Sequence, residues 1–260
     1  MTTQKERAEQ FRRLHVKSNP LIIFNVWDAG TAKALSEAGA RAVATGSYAV
    51  ALANGYADGE NVPLDLVIEN LRRIVDAVAL PTSLDFEGGY AVEPTAVRKN
   101  VARVIDAGAV GINFEDRIVP GRDLYSIEQQ CERIRAIREA AAEKGVPFYI
   151  NARSDVVLPL PPAEHTQPHL EQLIERARAY ADAGASGFFA PGLVDPELIG
   201  KLCEASPLPV NILGMPGVPT SKELANLGVA RISYGGGSYR TAMGAFKEAA
   251  QKALTAVTTS

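Results

Sequence analysis

Cysteine is almost absent from this chain of 260 residues: Cys131 and Cys203 are the only two, too few for a disulfide framework, and a reducing cytoplasmic setting is expected. Histidine is nearly as scarce. His15 falls in a charged N-terminal helical stretch, and His165 and His169 lie in or beside a proline-containing loop. No Ser-His-Asp or Cys-His nucleophile can therefore be assembled from strand ends. No apolar run approaches the ~18 residues of a membrane span, and the opening segment MTTQKERAEQFRRLH is charged rather than apolar. Neither charge sign dominates: 27 Lys and Arg stand against 30 Asp and Glu, a formal charge of -3. That balance speaks against a nucleic acid or a membrane surface as the main partner. No G-x-G-x-x-G follows the first strand pattern, so a dinucleotide fingerprint is missing. What remains is a soluble globular chain in which 47% of residues are hydrophobic.

The most informative feature present is a loose repeat. The segments 37–47 (EAGARAVATGS), 106–116 (DAGAVGINFED), 182–192 (DAGASGFFAPG) and 226–236 (NLGVARISYGG) each read as a helix ending on glycine, a short turn and an apolar strand. Filling the gaps predicts eight strands: Leu21–Trp27, Ala42–Ser47, Pro81–Glu87, Val110–Glu115, Pro147–Arg153, Gly187–Pro191, Pro209–Leu213 and Arg231–Tyr234. Helical periodicity falls between them, most clearly over Asp65–Val78 and Ile127–Lys144, and also over Thr95–Ala107, Leu170–Ala183 and Tyr239–Ala256. Eight βα units in roughly 240 residues match a (β/α)₈ TIM barrel better than an open doubly wound sheet. One barrel domain over residues 1–260 is expected.

Barrel chemistry sits at the C-terminal strand ends. Asp85, Glu87 and Glu115 all fall there. Period-two alternation puts Ser83, Asp85 and Glu87 on one face, Asn113 and Glu115 on another, and Asn151 and Arg153 on a third. Three carboxylates meeting on neighbouring strands need a compensating cation, and an all-oxygen set suits Mg²⁺ or Mn²⁺ held partly through water. The alternative is an ordinary ion pair between Glu115 and Arg153, with Asp85 and Glu87 facing solvent. The turn Gly46-Ser47-Tyr48 could offer backbone N–H groups to a carboxylate, or be merely a tight βα turn. Asn211 ends the seventh strand, and Gly235-Gly236-Gly237-Ser238 is a weak candidate phosphate cradle.

At these residues the chain resembles the isocitrate lyase/phosphoenolpyruvate mutase superfamily, through the blocks 25–47 (NVWDAGTAKALSEAGARAVATGS), 83–90 (SLDFEGGY), 111–117 (GINFEDR) and 151–155 (NARSD). The resemblance implies a Mg²⁺-dependent enzyme acting on small α-keto or 2-hydroxy carboxylic acids. Asp85 would be the principal metal ligand, with Glu87 and Glu115 holding the ion directly or through water. Backbone amides of Gly46, Ser47 and Tyr48, with Arg153, would grip the substrate carboxylate, and Asp58 would gate the site or move a proton. Asp58, Arg153 and Glu115 are the expected catalytic residues, and Asn211, from its strand-end position, is a further expected substrate contact. It also implies a homo-oligomer, dimer or tetramer, whose last helix is exchanged between subunits. Family lyases carry Lys-Lys-Cys-Gly-His after the strand-four Glu-Asp pair, whereas here Arg117 to Asp123 contain no Cys, Lys or His. A carbon–carbon lyase or decarboxylase working through an enolate-like intermediate is the expected activity; a phosphonopyruvate-type mutase or hydrolase and a non-catalytic keto-acid-binding barrel are the alternatives.

Overall fold

The computed structural model describes residues 2–255. Eight parallel strands, β1 (Leu21–Ile23), β2 (Val43–Ala44), β3 (Thr82–Asp85), β4 (Gly111–Glu115), β5 (Tyr149–Arg153), β6 (Gly187–Ala190), β7 (Val210–Leu213) and β8 (Arg231–Ser233), form one sheet in the order β1-β8-β7-β6-β5-β4-β3-β2. A single parallel bridge between Val26 and Thr45 joins the two outer strands. The fold is thus the expected (β/α)₈ barrel.

The surrounding helices are α1 (Gln4–Arg13), α2 (Ala29–Glu37), α3 (Ser47–Ala53), α4 (Leu64–Ala77), α5 (Pro94–Asp106), α6 (Ile127–Glu143), α7 (Gln167–Asp182), α8 (Pro196–Ala205), α9 (Ser221–Asn226) and α10 (Gly237–Thr255). The main core lies between sheet and helices, where Ile112, Phe114, Ile150 and Phe188 of the strands pack with Ile134, Ile137 and Leu173 of the helices. At the N-terminal rim α1 closes the barrel: the Phe11 ring lies edge-on to Tyr149 at 5.4 Å, and His15 stacks on the same ring at 4.0 Å. Gly111 permits this approach, because a Cβ there would lie 2.7 Å from the Tyr149 carbonyl oxygen and 3.2 Å from the Phe11 ring.

Two sequence-based boundaries shift for identifiable reasons. β1 stops at Ile23 rather than Trp27. The Asn25 side chain replaces the ladder there: its Oδ1 accepts from the amides of Tyr234 (3.1 Å) and Gly235 (2.8 Å), and its Nδ2 donates to the Thr45 carbonyl (2.8 Å). Ser47, read as strand, instead opens α3, a helix that the apolar pattern does not reveal. The expected last helix is observed as α10, while its final residue, Ala256, lies outside the described residues. Among the described residues no helix is long and apolar enough to cross a membrane.

Candidate active site

A cavity of about 290 Å³ opens at the C-terminal rim, walled by Asp85, Asn113 and Arg153 from β3, β4 and β5, by Gly46, Ser47 and Tyr48 at the start of α3, and by Asp58 from the loop after it. The far wall comes from Ser233 at the end of β8 and from Tyr234, Gly235 and Gly236 after it, with Leu158, Phe189 and Met215 supplying apolar surface. Gly236 matters for shape: a Cβ there would lie 2.6 Å from the Tyr48 ring, so only glycine lets that ring stand against the wall.

Asp85, half-buried, is the strand-end carboxylate that lines the cavity. Its Oδ2 accepts a 3.0 Å hydrogen bond from the Ser47 amide, whereas its Oδ1 is buried without a protein partner. The neighbouring acids lie behind the cavity wall. Strand β3 ends at Asp85 and the chain turns, with Glu87 at φ +49°, so the alternation that was expected to carry Glu87 onto the same face does not continue. Glu87 accepts from the Glu60 amide (2.8 Å) and the Tyr90 hydroxyl (3.1 Å), which fastens the loop after α3 to the loop after β3. Burial and the Asp85 charge push its carboxyl up to about 8.

Glu115 is buried and paired with Arg153 (2.9 Å) and Arg117 (3.0 Å). Burial raises its carboxyl above the ordinary value against the pull of Arg153. Arg153 also grips Asp155 through Nε (2.6 Å) and Nη2 (2.8 Å). Asp58 lines the same cavity as Asp85; partial withdrawal from water and the Asp85 charge raise its carboxyl, and the Ser47 side chain opposes the shift. Among the described residues no three His, Cys, Asp or Glu side chains form a ready-made metal cage. The donor chemistry nevertheless fits a hard divalent ion that would retain most of its water: Asp85 lines the cavity and keeps one buried carboxylate oxygen without a protein partner, while burial first and the Asp85 charge in addition raise the carboxyls of Glu87, Asp58 and Glu115.

The remaining expected residues divide. The Gly46 amide is spent on the Val26 carbonyl (3.1 Å) and that of Ser47 on Asp85, which leaves the Tyr48 amide without a partner among the described residues. Asn211 does not line the cavity; it is buried, with its Nδ2 on Ser233 Oγ at 3.1 Å. In the glycine run, the Ser238 hydroxyl is committed to the Asn25 carbonyl at 2.6 Å. His165 bonds the Val157 carbonyl and His169 caps α7. Both cysteines are buried and unbridged. Asp116, a strand-end acid, is consumed by Tyr180 (2.8 Å), Arg176 (3.1 Å) and the Asp155 amide (3.0 Å). Sequence reading missed Arg240, whose guanidinium lies 5.5 Å from the Tyr48 ring centre; its helical setting gave no signal that it borders the site.

The family model for phosphoenolpyruvate phosphomutase matches residues 11–254. The chain belongs to that family. It thereby joins the phosphoenolpyruvate mutase/isocitrate lyase superfamily that the sequence blocks resemble. 2-Methylisocitrate lyase of Escherichia coli K12 is 30% identical over 239 residues, covering 87% of this chain and 77% of that protein. The crystal structure of a candidate phosphonomutase from Burkholderia cenocepacia J2315 superposes with a TM-score of 0.94 at 44% identity, over 96% of this chain and 99% of that one. The fold alone is shared with phosphonopyruvate hydrolase in complex with oxalate and Mg²⁺, at TM-score 0.81 and 21% identity, over 95% of this chain and 85% of that one.

Proposed function

We propose that this member of the family is a Mg²⁺-dependent lyase or decarboxylase that breaks a bond at C3 of a small α-keto or 2-hydroxy carboxylic acid through an enolate-like state. The observation that carries this reading is the pairing, in one cavity, of the partnerless Asp85 Oδ1 with the fixed guanidinium of Arg153. Asp85 would hold the ion, with Glu87 and Glu115 reached through water; Mn²⁺ would serve equally. A bound divalent cation there would supply Lewis-acid stabilisation of the charge that develops on the substrate oxygens.

The chain's own groups would do the rest. Arg153, clamped by Glu115 and Asp155, cannot swing away and would present a pre-oriented cation to the substrate carboxylate, with Gly46, Ser47 and Tyr48 along its other side. Asp58, whose carboxyl is raised and which faces the cavity, would carry the proton that the missing loop cysteine does not supply. A second pocket of about 210 Å³ shares Leu158 with the cavity and is also lined by Asp155; Arg117 in its wall is spent on Glu115 and Asp155, which leaves Arg122 as the cation that would meet the distal carboxylate of a dicarboxylic acid. Turnover is tested with a panel of keto and 2-hydroxy dicarboxylates, and site competence by calorimetric titration of oxalate, an enolate mimic, with and without Mg²⁺. Absence of Mg²⁺-dependent oxalate binding would remove the reading.

Carbon–phosphorus chemistry at the same site is the second reading, favoured by the likeness to the candidate phosphonomutase. Phosphorus NMR of a phosphonopyruvate incubation separates the two. The protein would work as a homo-oligomer through α10, of which Ser238 alone is buried among the described residues and which presents Met243, Phe246 and Leu254 to solvent. Beside its start lies an apolar groove of about 330 Å³ lined by Phe24, Val26, Trp27, Ala34 and Leu35, a seat for the same helix of another copy.

A further inference from the structure

Beneath the cavity floor the barrel interior is polar, and one of its side chains fixes the chemistry of the floor itself. Asn113 borders the cavity yet is only 4% exposed. Its Oδ1 receives two donors: Asn151 Nδ2 from the adjacent β5 at 2.9 Å and Arg231 Nη2, reaching from β8, at 3.3 Å. A guanidinium can only donate, so the Asn113 atom facing Arg231 must be the oxygen. The amide orientation follows from that polarity. The Asn113 NH₂ group has no protein acceptor among the described residues and is left to the cavity side, one strand over from Asp85, with which Asn113 pairs in the β3–β4 register.

Arg231 is suited to this task and to little else. It is fully buried and touches no carboxylate among the described residues; its Nε is held by Ser233 Oγ at 2.9 Å, and its Nη1 has no partner. Burial lowers its ionisation only to about 10, so at neutral pH a positive charge persists directly behind Asn113. A buried cation without a paired anion is costly unless negative charge arrives nearby. The cavity in front of it is where such charge would come.

From this geometry we infer that the Asn113 side-chain amide is a substrate-binding donor, aimed at an anionic oxygen of the bound acid beside Asp85, and that Arg231 is a positioning residue that locks the amide and reinforces it with buried positive charge. The inference deepens the proposed function and rests on its reading that the ligand is a small acid. It specifies an oxygen that accepts at this point, best an anionic one, and excludes an ammonium group, which can only donate.

The test uses the full-length chain. The side-chain ¹⁵N–¹H pair of Asn113, assigned through bonds, should exchange rapidly with water in the free protein and should shift when Mg²⁺ and oxalate are added. Asn113→Ala should weaken oxalate about tenfold and Asn113→Asp, which turns the donor into an acceptor, by about thirtyfold or more. Mg²⁺ binding alone should not weaken in either variant. Arg231→Met should abolish the oxalate-induced shift of the Asn113 pair, and Arg231→Lys should restore part of it, a response that a purely structural role would not give. Oxalate binding that leaves the Asn113 pair unmoved overturns the inference, as does undiminished affinity in a folded Asn113→Ala. If wild type binds no oxalate, the proposed function fails instead. The donor placement is then judged on the free protein, where a solvent-protected Asn113 pair would refute it.

Discussion

The Ser47 amide lies 3.0 Å from Asp85 Oδ2 and leaves Asp85 Oδ1 buried without a partner. This contact anchors one carboxylate oxygen and leaves the other unpaired, the oxygen that the proposed function assigns to a cation. Asp85→Ala should therefore lower Mg²⁺-dependent oxalate affinity by about a hundredfold or more while the barrel stays folded, as read by calorimetry alongside circular dichroism.

Arg153 holds two buried acids at once, Glu115 at 2.9 Å and Asp155 at 2.6 Å. Arg153→Met leaves Glu115 and Asp155 with Arg117 as their one remaining cation and should cost about 3 kcal/mol in urea denaturation. The double variant Arg153→Met with Glu115→Gln should recover part of that loss, since one uncompensated charge is then removed.

His15 provides a pH dependence remote from the cavity. Burial, with the nearby charge of Arg231, holds the imidazole down at about 3, below its ordinary 6.5. The unfolded chain therefore takes up a proton that the folded one refuses. The resulting stability is fully present above pH 6.5 and is lost progressively as pH falls from there towards 3. His15→Phe, which keeps a ring on Tyr149, should flatten that part of the stability–pH curve measured by thermal denaturation.

Exposed apolar residues on α10 have a defined consequence. Phe246 is 68% exposed and Leu254 74%, values that favour burial against another copy. Sedimentation velocity should show an oligomer for wild type, and Phe246→Asp with Leu254→Asp should shift it towards the monomer at micromolar concentration.

Arg122 makes no ion pair or hydrogen bond among the described residues and lines the pocket that Leu158 shares with the main cavity. Arg122→Gln should raise KM for dicarboxylates about tenfold while oxalate affinity stays within about twofold, because a two-carbon acid has no distal group to reach it.

Periodicity and glycine-capped repeats were enough to read the eightfold βα order, because burial of both sheet faces writes apolar runs between amphipathic helices. The sequence blocks likewise pointed to the family and to the strand ends where Asp85 and Arg153 lie. Local pattern could not tell which acids share a cavity. Strand alternation was projected one step too far at Glu87, where the backbone turns to φ +49°, and Glu115 is claimed by two arginines from positions a strand pattern does not distinguish from solvent. Nor could it reveal that Arg231, 118 residues away from Asn113, would reach across the barrel to orient it. Burial pattern is a property of each segment and is therefore written along the chain. Pairing of charges and donors across a closed barrel depends on distances between segments, and only the tertiary structure decides those.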